Sequence, residues 1–85
     1  MNDKNKPIIA LVDDDRNILM SMEELLKKED FNIHTYSDGQ SALNSFFKHP
    51  PDIAVIDIKM PRMDGYELFK KIREKLTIPV IFLTS

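Results

Sequence analysis

Ile8-Ile9-Ala10-Leu11-Val12-Asp13-Asp14 is five apolar residues closed by two carboxylates, and Ile53-Ala54-Val55-Ile56-Asp57 repeats the form. Uninterrupted apolar runs of this length suit strands covered on both faces, as in a parallel sheet. In a doubly wound α/β sheet, ligands bind just beyond the carboxyl ends of the strands. Two neighbouring strands ending in carboxylates therefore converge on one acidic pocket. Carboxylates held that close repel one another, so the pocket should bind a cation or take up protons. An all-oxygen donor set suits Mg2+, which takes one or two carboxylates and keeps several waters.

Working outward, the rest of the chain supplies the alternation such a sheet needs. Ile8 to Val12 is strand β1. Helix α1 is predicted over Arg16 to Glu29, with Ile18, Leu19, Met22, Leu25 and Leu26 at helical spacing on one face. Phe31 to Tyr36, strand β2, alternates apolar and polar residues, which suits a sheet edge. Ser37-Asp38-Gly39-Gln40 has capping-box spacing and opens α2, about Asp38 to Phe47, with Leu43, Phe46 and Phe47 as its buried face. His49-Pro50-Pro51 ends that helix. Strand β3 is Ile53 to Asp57, and Lys59 to Asp64 is a loop. Asp64, with Glu67 three residues on, caps α3, which runs to about Lys75 with Leu68, Phe69 and Ile72 facing the sheet. Val80 to Leu83 is β4. This β-α-β-α-β-α-β order predicts a parallel sheet with right-handed crossovers.

Composition bounds the function. The chain has 85 residues, 42% hydrophobic and 31% charged, enough for one small globular domain. A net charge of -2 gives no reason to expect nucleic-acid or membrane binding by this segment. There is no Cys, so disulfides and thiolate metal sites are excluded. Residues 1–6 form a polar tail without the apolar centre of a signal peptide. The longest apolar run falls far short of a membrane span. A reducing cytoplasmic setting fits these features.

Three motifs in one order carry a resemblance: the apolar run ending in Asp13-Asp14, Asp57 followed by Lys59-Met60-Pro61-Arg62-Met63-Asp64-Gly65, and Ile78-Pro79-Val80-Ile81-Phe82-Leu83-Thr84-Ser85. Together they resemble the receiver domain of bacterial two-component response regulators over residues 7–85. The resemblance implies a flavodoxin-like doubly wound sheet of order 2-1-3-4. It also implies that the chain lacks that family's final helix-strand-helix, including a lysine that contacts the phosphoryl group. A truncated domain of this kind is expected to be phosphorylated slowly and to associate, for instance as a dimer through the exposed fourth strand.

By the same resemblance, Asp57 is the phosphoacceptor, served by a sensor histidine kinase, a phosphotransfer protein or a small phosphodonor. Mg2+ is expected on Asp14, on Asp13 through water, on Asp57 and on the backbone carbonyl of Lys59. The Lys59 side chain is expected in solvent. Thr84 supplies the switch hydroxyl. The family commonly attaches an output domain, and the stretches Tyr66-Glu67-Leu68 and Ile78-Pro79-Val80 look most like receivers of winged-helix transcription factors. Transcription regulation through DNA would then belong to the full-length parent.

Plainer and competing readings stand beside these. An Asp after a strand is often a helix N-cap, and Asp15 reads as that or as a solvated loop residue. His34 and His49 lack metal-ligand spacing and read as surface residues. Lys70, Lys71, Arg73 and Lys75 read as a solvated helix face, and Met60 and Met63 as loop packing. An enzyme alternative is a small Mg2+-dependent phosphohydrolase, whose Asp-x-Asp pattern Asp13-Asp14-Asp15 formally contains, with Asp13 as nucleophile. That reading leaves Asp57 and Met60-Pro61 unexplained. A third is a receiver-like interaction module that is never phosphorylated.

Overall fold

The computed structural model describes residues 6–84. Of the polar tail over residues 1–6, only Lys6 falls among them; Ser85 also lies outside. Four parallel strands, β1 (Ile8–Val12), β2 (Asn32–Tyr36), β3 (Ile53–Asp57) and β4 (Val80–Leu83), form one sheet in the order β2-β1-β3-β4. Helices α1 (Arg16–Lys27), α2 (Gly39–Lys48) and α3 (Gly65–Arg73) connect them. The predicted order and all seven elements are present, with β2 and β4 at the edges.

Each helix begins on an aspartate that satisfies backbone donors with no partner inside the helix. Asp15 Oδ1 accepts from the N–H groups of Asn17 at 2.9 Å and Ile18 at 3.3 Å. Asp64 accepts from the Glu67 N–H at 2.8 Å. In α2 the cap is Asp38 rather than Ser37, since its carboxylate accepts from both the N–H and the hydroxyl of Ser41, at 2.8 and 2.9 Å. Its two oxygens take one bond each, Oδ1 from the N–H and Oδ2 from the hydroxyl. Helix α1 stops two residues short of Glu29. The Glu29 and Asp30 N–H groups turn back to the carbonyls of Leu26 and Lys27, with Asp30 at φ 67°. Helix α3 likewise ends at Arg73 rather than Lys75.

The sheet separates two cores. Side chains alternate along each strand, so Ala10, Val12, Ala54 and Ile56 face α2 and α3, where they pack with Phe46, Leu68 and Ile72. Ile9, Leu11, Ile53 and Val55 face α1 and pack with Leu19. The predicted face of α1 is narrower than its periodicity suggests. Leu19 is buried and Met22 and Leu26 are half-buried, but Ile18 and Leu25 are 42% and 67% exposed. Helix α1 packs alone on its side, so only residues aimed straight at the strands are covered. Phe47 of α2 is also more exposed than predicted, with the Lys75 ammonium 4.9 Å over its ring. Phe46 takes the inward direction one position earlier, and its ring meets Tyr36 edge-on at 5.5 Å.

Candidate functional site

Register brings the carboxylates together. Val12 of β1 pairs with Ile56 of β3, so the next residues, Asp13 and Asp57, leave neighbouring strands side by side. The period of two then puts Asp13 in line with Ile9 and Leu11, and Asp57 in line with Ile53 and Val55, all toward the α1 side. Asp14 begins the turn into α1. One carboxylate oxygen from each of Asp13, Asp14 and Asp57 lies within 4.8 Å of the others. Asp13 is 4% exposed and Asp57 9%, whereas Asp14 is open to solvent.

Backbone bonds fix these strand ends. The Asp13 N–H donates to Tyr36 C=O at 3.1 Å, and the Ile58 N–H to Leu83 C=O at 3.3 Å. Asp13 Oδ1 accepts the Asp15 N–H at 2.9 Å. Burial raises the Asp13 carboxyl above its ordinary value; the Asp15 N–H opposes this, and the charges of Asp57, Asp14 and Asp15 add to it. A buried acid crowded by like charges is relieved by a nearby cation.

The carboxylates open into a cavity of about 520 Å³ whose wall includes Lys59, Thr84, Leu83, Ile18 and Met22. The exposed Lys59 and Thr84 both border the acidic cluster. Ile18, placed by periodicity on the buried face of α1, is exposed and rims the cluster, while Met22 packs against the core as its spacing predicts and also lines the cavity. Helical spacing says that two residues share a face but not what that face meets. Asp15 is spent on the α1 cap, so the residue that joins Asp13 and Asp14 is Asp57, distant along the chain and brought alongside by the register of β1 with β3.

The loop after Asp57 is held tightly. The Met63 N–H donates to Pro61 C=O at 2.8 Å around Arg62, whose φ is 66°, a three-residue turn. Met60 is buried in the α2/α3 core and Met63 packs against it, as the loop-packing reading expected. Gly65 closes the loop by donating its N–H to Ile58 C=O at 2.8 Å. A second cavity, also about 520 Å³, lies beside this loop and shares Asp14 with the first. His34 and His49 are exposed and stand apart from the cluster.

A parallel sheet of this order with acidic strand ends defines a doubly wound receiver-type domain. The chain belongs to the response regulator receiver domain family, whose pattern matches residues 9–85. It is 37% identical over 82 residues to the probable transcriptional regulator ycf27 of Guillardia theta, covering 96% of this chain and 32% of that protein. It is 36% identical over 77 residues to the response regulator GtcR of Aneurinibacillus migulanus, covering 91% of this chain and 32% of that protein. The chain thus spans about a third of the length of these curated relatives. Among solved structures, it is similar to the N-terminal domain of a response regulator receiver protein from Methanoculleus marisnigri. That match has a TM-score of 0.88 and 31% identity, covering 92% of this chain and 66% of the other. Among the described residues, no helix is long and apolar enough to cross a membrane.

Proposed function

We propose that this chain is a phosphoacceptor module that takes a phosphoryl group on Asp57 from a histidine kinase or phosphotransfer protein. The observation that carries this reading is the meeting of Asp13, Asp14 and Asp57 within 4.8 Å at the strand ends. Three carboxylate oxygens are hard donors of the kind that suits Mg2+. Asp14 and Asp57 would hold the ion directly, Asp13 through water, and the Lys59 carbonyl would complete the protein ligands. An ion held there would supply charge neutralisation to the phosphoryl oxygens during in-line transfer.

The chain's own groups do the rest. A carboxylate oxygen of Asp57 attacks phosphorus, the bond from phosphorus to the donor breaks, and an aspartyl phosphate results. Burial of Asp57 limits water access to that acyl phosphate. Thr84, on the cavity wall, donates its hydroxyl to a phosphoryl oxygen and so begins the switch. In a longer parent, a cytoplasmic response regulator, the switch would be passed to an output domain that acts in transcription, as the Guillardia transcriptional regulator suggests.

Incubation with acetyl phosphate and Mg2+, followed by mapping of the modified residue, tests the reading. Label on Asp57, absent from Asp57→Asn, is the expected result. Label on Asp13 would favour the phosphohydrolase alternative. In parallel, NMR titration should show Mg2+ affinity falling by roughly tenfold or more in Asp14→Ala, the scale seen when metal sites lose supporting groups. Unchanged affinity in both Asp14→Ala and Asp57→Asn would sink the site.

A further inference from the structure

We propose that Gly65 is a positioning residue for Asp57, required because the first residue of α3 lies directly against the backbone of the phosphoacceptor. This rests on the assignment of Asp57 above. A Cβ at position 65 would sit 2.9 Å from Ile58 Cα and 3.1 Å from the Asp57 carbonyl carbon, and closer still to the Asp57 carbonyl oxygen. The requirement is one of space, since Gly65 does not have a positive φ. The atoms in the way are main chain, which cannot rotate aside.

Gly39, at the first position of α2, shows the alternative. There a Cβ would meet only the side chain of Met63, with Sδ at 2.9 Å, and Met63 borders a cavity into which it can move. At position 65 neither partner has such an exit. Helix α3 is anchored by buried Leu68 and Ile72, both 0% exposed. The Asp57 strand is anchored across the sheet by Ile58 N–H to Leu83 C=O at 3.3 Å and by its register with β1. A side chain at 65 therefore moves the end of β3 relative to Asp13, which is held to β2 by its N–H bond to the Tyr36 carbonyl. Metal and transfer geometry tolerate displacements of only about half an ångström.

The test compares three forms of this chain by NMR titration with Mg2+: the parent, Gly65→Ala and Asp64→Ala. Asp64→Ala removes the cap of the same helix and so reports what loosening α3 does by itself. The expected result is a loss of Mg2+ affinity of about tenfold or more in Gly65→Ala, with metal-free amide shifts centred on Asp57 and Ile58. Asp64→Ala, adjusted to equal stability with urea, should stay near the parent. Parent-like affinity in Gly65→Ala, or an equal loss in Asp64→Ala, would overturn the proposal. If Gly65→Ala is unfolded in buffer, sucrose or trimethylamine N-oxide favours its compact state, and affinity is read there. Failure to fold even then would make Gly65 a determinant of the fold and overturn the positioning role. Absence of Mg2+ binding by the parent would instead reject the metal reading, and Gly65→Ala would be judged on the Asp57 and Ile58 shifts alone.

Discussion

The two faces of the sheet are built to different densities. On one, α2 and α3 lie side by side and shield each other's flanks, so Phe46, Leu68 and Ile72 are at most 1% exposed. On the other, α1 packs alone; among its residues only Leu19 is buried, while Met20 and Leu25 are 65% and 67% exposed and Ile81 of β4 is half-exposed. The acidic cluster opens on this second, thinner face. The difference teaches that a helix with a neighbour buries more of its apolar stripe than a helix that packs alone.

The largest expected effect tests that asymmetry directly. Phe46→Ala should destabilise by about 3–5 kcal/mol, the range for removing a fully buried aromatic ring. Leu19→Ala on the sparse face should cost about 2 kcal/mol, at the low end for its type because neighbours there can relax into open space. Urea unfolding of both variants measures the gap, and equal losses would erase the asymmetry.

A smaller effect concerns the cap of α2 on the dense face. Asp38→Ala should cost about 0.5–2 kcal/mol near neutral pH. The Ser41 N–H, and then its hydroxyl, hold the Asp38 carboxyl below its ordinary value. A carboxyl lowered by folding contributes stability that is present above its unfolded pKa of about 3.9 and lost as pH falls through the folded value. The parent's advantage over Asp38→Ala should therefore be constant above about pH 5 and shrink in more acidic solution. Urea melts at several pH values would show it, and an advantage growing with acidity would contradict the cap.

The smallest effect belongs to the outer side of α1. Leu25→Gln should change stability by no more than about 0.5 kcal/mol, as for exposed positions in general. A loss well beyond that, measured by the same melts, would mean that the outer side of α1 is covered in solution.

Much of this was legible beforehand because parallel strands write themselves into sequence. Ile8 to Val12 and Ile53 to Ile56 are apolar throughout, which suits strands buried on both faces, and the predicted bounds of β1 and β3 match those observed. Asp64 as a cap was visible from its spacing to Glu67. Less legible was how far a helix's apolar stripe is covered. Ile18, Leu25 and Phe47 sit at correct spacing, yet their burial depends on what lies beside the helix, and spacing does not contain that. The Ser37 and Asp38 caps could not be separated by spacing either, since the choice rests on which side chain reaches the Ser41 N–H and hydroxyl.

For the site, the sequence by itself determined the chemistry: carboxylates at strand ends, a tight loop after Asp57, a hydroxyl after β4. Those are properties of residue type and of neighbours along the chain. Only the tertiary structure decided that Asp13, Asp14 and Asp57 meet while Asp15 turns away to α1, that Ile18 and Met22 rim the cluster, and that Gly65 touches the Asp57 backbone. Each of these depends on the register of β1 against β3 and on where α1 and α3 lie against the sheet. Contacts between residues far apart in sequence are set by packing in three dimensions, which no local pattern encodes.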